Sequence, residues 1–216
     1  MGLISTLLAA ACIIFDVTYF AKMFWLYYPY FIGIKKQIHG VHEEGVSLGI
    51  CLPIDLDYMC HMNHAKYLRN FEYARGSFAG ASGLLQSIFF TEKKDRWCVI
   101  AAVAVRYRRQ VTCFERYRIT TRLVYIEGRD FFFEQKMIGV SDSFVKAVCL
   151  AKATLTPNGD CREMLLSNGV DPTPFCGPIE DDLRHFIELN RASSAKLNPS
   201  KESTQNLAAA DETLMH

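Results

Sequence analysis

The sequence predicts an α+β domain in which one long helix lies on an antiparallel sheet. Three observations carry this. From Ala65 to Phe90 the apolar residues Tyr67, Phe71, Ala74, Phe78, Ala81, Leu85 and Ile88 recur at alternating spacings of four and three, which is one stripe of a helix. After Trp97 the period becomes that of strands: Tyr117, Ile119, Thr121, Leu123 and Tyr125 alternate with Arg118, Thr120 and Arg122. Turn-forming links such as Glu127-Gly128-Arg129-Asp130 and Pro157-Asn158-Gly159-Asp160 bound these runs.

Taken in order, residues 46 to 52 (VSLGICL) read as a short strand, followed by the polar, irregular stretch DLDYMCHMNH. Gly76, Gly80 and Gly83 share a second face of the long helix. Each weakens it by about 1 kcal/mol relative to Ala, so their spacing predicts a surface that another part of the chain approaches closely. Trp97 to Val105 is a continuous apolar run, expected as a strand covered on both faces; Tyr117 to Ile126, Phe131 to Ile138 and Phe144 to Leu155 follow as strands. Asn168 to Pro178 holds three Pro and two Gly and reads as a linker. Ile179 to Arg191 reads as a second helix, with Glu180, Asp181 and Asp182 at its positive end. The resulting segments are 1–40, 41–167, 168–198 and a disordered tail at 199–216.

Half of the 216 residues are apolar and 22% are charged, which excludes a disordered chain and allows a sizeable core. The net charge of +1 argues against a dedicated nucleic-acid binder. The eight Cys include no CxxC pair and read as small buried hydrophobes in a reducing compartment; some disulfides in a secreted protein are the alternative.

Residues 1 to 34 carry only two charged side chains, Asp16 and Lys22. The run Leu3 to Phe20 approaches the length of a bilayer span, although an Asp at a span's centre costs roughly 2.5–3.5 kcal/mol, and less near an end. Six aromatics then fall between Phe24 and Phe31, as at a membrane–water boundary, and Pro29 argues against one continuous helix there. Lys22, Lys35 and Lys36 all lie beyond the apolar start. An uncleaved anchor in the endoplasmic reticulum membrane, with the domain facing the cytosol, is the expectation. A cleaved secretory signal lacks its basic start and a clear cleavage site, and a buried amphipathic helix fits an uncharged run poorly. The start also meets the loose MGxxx[ST] myristoylation pattern through Thr6.

His61 and His64 share the polar stretch with Asp55, Asp57 and Asn63, directly before the long helix. A helix start presents unpaired N–H groups that can hold a developing oxyanion, and a carboxylate beside them can activate water or attack. Equally, these residue types are common caps and turn formers. Two His without a third ligand make a weak metal site, and no metal is expected.

The run Asp55-Leu56-Asp57-Tyr58-Met59-Cys60-His61-Met62-Asn63-His64-Ala65-Lys66-Tyr67-Leu68-Arg69, continued by Phe71, Glu72, Ala74 and Arg75, resembles the D-x-D-x-x-G-H-x-N-N-x-x-Y-L pattern of hotdog-fold acyl-CoA thioesterases of the 4-hydroxybenzoyl-CoA thioesterase type. The resemblance implies a hotdog fold, in which a long central helix is wrapped by an antiparallel sheet, and a homodimer that extends that sheet. It makes Asp57 the catalytic carboxylate, with His61 and Asn63 beside the thioester and Tyr67 near the substrate. Cys60 stands where the family has Gly, and His64 where it has a second Asn; both would border the acyl site. Arg106 and Arg108, within a cluster of six Arg between residues 106 and 122, would meet the phosphates of coenzyme A, which enters as part of the substrate and not as a cofactor; a solvated strand face is the plainer account. The expected function is a membrane-anchored acyl-CoA hydrolase. The alternative is a hotdog protein that has lost turnover and binds acyl-CoA or lipid at the membrane.

Overall fold

In a computed structural model, the structure describes residues 2, 16–31, 39–89 and 97–197. The apolar run at 3–15, Lys35, Lys36 and the tail at 199–216 lie outside them. The chain divides into two compact units, Met1–Gly177 and Pro178–His216.

In the first unit, helix α1 (Val17–Phe31) precedes strand β1 (Gly45–Ile50), a 3₁₀ turn (Pro53–Asp55), helix α2 (His64–Ala81) and the short α3 (Leu84–Phe89). Strands β2 (Trp97–Tyr107), β3 (Arg116–Glu127), β4 (Asp130–Gly139) and β5 (Val145–Thr156) follow, then α4 (Cys161–Ser167). The five strands form one antiparallel sheet in the order β1-β3-β4-β5-β2. The second unit contains α5 (Asp181–Leu197), which runs further than Arg191 because Ala192, Ala195 and Leu197 continue to favour helix.

The core forms where the α2 stripe Tyr67, Phe71, Ala74 and Phe78 meets the inward residues of the sheet, among them Ile119, Leu123, Phe133, Met137, Cys149 and Ala151. The long helix is interrupted at Ser82-Gly83. Gly83 takes φ +79°, a conformation open to glycine and strained for other residues, while Leu85 and Ile88 keep the apolar phase across the break. In β3 the pairing shifts between Leu123 and Tyr125, so Ile126 is buried in place of Tyr125.

Among the described residues the apolar run of β2 is not covered on both faces as expected, although Cys98 and Val105 pack against the core. It forms a sheet edge, with Trp97, Val99, Ile100 and Val103 exposed. Gly76 and Gly80 mark a close approach, as their spacing predicts: a Cβ on Gly80 would come within 2.6 Å of the Tyr30 ring, and one on Gly76 would strike Tyr27. Both tyrosines belong to α1, which, contrary to the expectation from Pro29, runs as one helix through the aromatic cluster and ends two residues after the proline. The Tyr19 hydroxyl donates to Glu72 at 2.8 Å, and Asp16 pairs with Arg69, so α1 runs along α2 from end to end. Among the described residues no helix is long and apolar enough to cross a membrane.

Candidate active site

The stretch between β1 and α2 is a tight loop closed on itself by backbone bonds. Asp57 N–H donates to His61 O at 3.0 Å, Cys60 N–H to Asp57 O at 3.0 Å, and Asn63 N–H to Asp55 O at 2.8 Å. Asp57 and Asp55 both sit half-buried in it but hold different partners. An Asp57 carboxylate oxygen accepts from Met59 N–H at 2.8 Å, and its second oxygen lies 3.7 Å from His61 Nδ1, beyond hydrogen-bond range. Asp55 accepts from Leu52 N–H at 3.0 Å and faces Lys66 Nζ at 3.7 Å, which makes it a support of the loop.

Asn63 caps α2: its side-chain oxygen accepts from Ala65 N–H at 2.9 Å, and its carbonyl accepts from Lys66 and Tyr67. Of the first-turn donors, the His64 N–H makes no hydrogen bond among the described residues. It lies at the positive end of an 18-residue helix. The His61 ring sits 3.3 Å from Met62 O through Nδ1, an arrangement that leaves Nε2 as the outward nitrogen when Nδ1 carries the proton. Cys60 is exposed and takes φ +61°, in the left-handed region that favours glycine. The Gly expected at this position and the Cys found there therefore differ in strain. The other described cysteines are also free thiols, and all are buried or half-buried.

Tyr67 is buried beneath the loop, with its hydroxyl accepting from Val111 N–H at 3.0 Å. Its ring meets Tyr107 edge-on at 5.1 Å, and the Tyr107 hydroxyl reaches His64 O at 3.4 Å. Met62 N–H donates to Val111 O, and His61 pairs across to Thr112. A second segment, residues 108–115, thus braces the loop. It is held in turn by Glu115, which accepts from Thr112 N–H and lies 2.6 Å from the buried Lys146 Nζ. Burial works against ionisation of Glu115, but the hydrogen bonds from Lys146 and Thr112 outweigh it and lower its pKa. Val111, Thr112 and Glu115 carry no local sequence signal for this role; the polar Tyr107 closing an apolar run is the one visible hint.

The structure therefore gathers Asp57, Cys60, His61, Asn63 and His64 at one loop–helix junction, with Tyr67 as its floor. Arg106 and Arg108 flank Tyr107. The strand pleat sends Arg106 to the opposite face of the sheet from Tyr107, and the Arg108 guanidinium lies 5.0 Å over the Phe144 ring. Arranged this way, the junction offers a carboxylate, an imidazole and an unused helix N–H, a set suited to acyl transfer to water.

A family model described as the thioesterase-like superfamily matches residues 51–169, which contain the junction and its brace. The chain is 32% identical over 185 residues to the protein THEM6 of Danio rerio, spanning 85% of this chain and 87% of that one. It is 30% identical over 192 residues to the protein THEM6 of Drosophila melanogaster, spanning 88% and 94%. Among solved structures, the fold is similar to that of Slr0204, a 1,4-dihydroxy-2-naphthoyl-CoA thioesterase from Synechocystis, with TM-score 0.51 and 11% identity over 58% of this chain and 94% of that one. It is also similar to YbaW, a probable thioesterase from Escherichia coli, with TM-score 0.50 and 21% identity over 56% and 95%. With the motif loop, the helix-on-sheet architecture and these matches in agreement, the chain belongs to the thioesterase-like superfamily and has its hotdog fold.

Proposed function

We propose that this chain hydrolyses an acyl-CoA or a related acyl thioester, with Asp57 as the carboxylate that activates water or attacks the carbonyl. The observation that carries the reading is the half-buried Asp57 carboxylate, oriented by Met59 N–H and set in the loop that leads into α2, where the His64 N–H is unused. That N–H is the donor suited to the developing oxyanion, and His61 is the group suited to moving the proton. The strained Cys60 favours the second reading, a hotdog protein that binds acyl thioester with little turnover.

Membrane association is part of the proposal. Val17, Phe20, Phe24 and Tyr28 recur at helical spacing on the exposed side of α1, with Trp25 beside them, while Tyr27 and Tyr30 pack on α2. An aromatic outer face of this kind suits a helix lying at the headgroup boundary. The uncharged start and the later Lys22, Lys35 and Lys36 support an endoplasmic reticulum location with the domain in the cytosol. A tag after His216 should be digested when intact microsomes are treated with protease; protection until detergent is added would reverse the topology.

The test of the chemistry is a panel of acyl-CoAs offered to the full chain. Asp57→Asn should fold normally and lose at least about a hundredfold in CoA release, the scale of general acid–base catalysis. Asp55→Asn should act on loop stability, since one uncharged amide oxygen cannot serve both Leu52 N–H and Lys66. Failure of the unaltered chain to release CoA from any member, alongside binding of one, would select the second reading.

A further inference from the structure

A cleft of about 640 Å³, lined by Asp55 but not by Asp57, opens between α1, α2 and the edge strand β1. This is within the usual size of small-ligand sites, about 300–1,000 Å³. One wall is an alternating stripe, Val46, Leu48, Ile50, Leu52 and Ile54, all of them exposed, with Leu48 at 82%. Five exposed apolar side chains in nine residues need a cover. On α1 the cleft is lined by Lys22 and, one turn on, Leu26; on α2 it is lined by Lys66, Arg69 and Tyr73. The cations gather toward the start of α2, whereas Leu26, Ala74 and Val46 form the other end.

Charge sets what can enter. Arg69 is paired with Asp16, and Lys66 faces Asp55 at 3.7 Å. Lys22 forms no ion pair among the described residues and shares the field of Asp55 with Lys66; its Nζ sits 4.1 Å above the Tyr73 ring. Three cations against two carboxylates leave the cleft with one positive charge in excess. One positive charge in excess beside a long apolar wall fits a ligand with one negative charge and one chain, and does not fit a coenzyme bearing several phosphates. Both α1 and β1 lie outside residues 51–169, so the family match covers the α2 wall of the cleft, with Leu52 and Ile54, but not the walls that α1 and β1 supply.

We propose that this cleft binds a long-chain fatty carboxylate, its head on Lys22 and Lys66 and its chain along the Val46–Ile54 stripe. The site goes beyond the hydrolase reading and stands without it. In full chain held in phosphatidylcholine vesicles, a palmitate analogue with a diazirine near its tail should label peptides from β1 and α1. Excess palmitate should abolish that labelling, and excess hexadecanol should compete at least about tenfold less well, the scale of a charge-assisted contact. Leu48→Asp, which alters a largely exposed side chain, should remove the labelling. Lys22→Gln combined with Lys66→Gln should weaken palmitate competition about tenfold or more. The same labelling in Asp57→Asn shows that the site survives a failure of the hydrolysis assignment. Labelling spread over the surface, labelling that palmitate does not compete, or labelling unchanged in Leu48→Asp would overturn the proposal. So would Leu48→Asp converting a dimer to a monomer, which would assign the stripe to a second copy of the chain.

Discussion

The Tyr67 hydroxyl accepts the Val111 N–H at 3.0 Å, tying the first turns of α2 to a segment 44 residues further along the chain. Burial pushes this phenol up to about 12, so it stays protonated at neutral pH. Its position beneath Asp57, Cys60 and His61 makes it the floor of the junction, because Met62 and His61 both pair with the segment it holds.

Tyr67→Phe keeps the ring against Tyr107 and removes the acceptor, leaving the Val111 N–H buried and unbonded. The expected loss is about 1–3 kcal/mol, the desolvation cost of an orphaned donor. Urea unfolding followed by tryptophan fluorescence measures it. A midpoint unchanged from the unaltered chain would mean that water replaces the hydroxyl.

Cys60→Gly should relax the loop. An L residue in the left-handed region costs about 1–2 kcal/mol, and the extra freedom of Gly in the unfolded chain takes back about 0.4–1 kcal/mol. The net expectation is a gain of between zero and about 1.6 kcal/mol, with faster turnover if the strained peptide misplaces Asp57. Thermal unfolding and acyl-CoA hydrolysis, measured on one preparation, separate the two effects. Loss of stability would assign the thiol a packing role.

The motif loop was legible in the sequence because its residues are contiguous: Asp57, His61, Asn63 and the start of α2 all lie within eight residues. Its brace was not, because Val111, Thr112 and Glu115 reach it only through the tertiary fold. The helix stripe was correct in phase, yet it ran through the break at Gly83, since Leu85 and Ile88 remain on the buried side of both helices. In β3 the alternation placed Tyr125 on the face of Leu123; the shifted pairing after Leu123 puts Ile126 in the core instead, and period alone carries no sign of a bulge. The run Trp97 to Val105 misled in a different way. A strand buried in the middle of a sheet and an edge strand with an unpartnered apolar face share the same composition.

Glu115 and Lys146 should make stability fall in acid. The folded chain holds the Glu115 carboxyl below the ordinary glutamate range, so the unfolded chain takes up the proton first as pH drops. The contribution is full above the ordinary range and is lost as pH falls through the folded pKa. Glu115→Gln should flatten that part of the profile. It should also destabilise at neutral pH, toward the lower end of the roughly 3–5 kcal/mol typical of breaking a buried pair, because Asp142 remains 3.2 Å from Lys146 Nζ. Urea midpoints between pH 3 and pH 7, taken at about half-unit steps, test both statements. An identical slope in Glu115→Gln would remove Glu115 from the acid transition.

The exposed edge of β2 leads to the last prediction. Trp97 is 62% exposed, and Val99, Ile100 and Val103 lie open on the same strand. An apolar edge with a row of unpaired backbone groups is a template for another strand, and a second copy of the chain is the partner that would extend the sheet. Val103→Asp puts a carboxylate in that row and, being more than a third exposed, should leave the single chain folded. Light scattering after size-exclusion should then find the unaltered chain as a dimer and the variant as a monomer at micromolar concentration. Circular dichroism should be alike for both. Because Tyr107, at the end of the same strand, touches His64, separating the copies should also lower CoA release. A fully active monomer of the unaltered chain would show that one chain completes its own site.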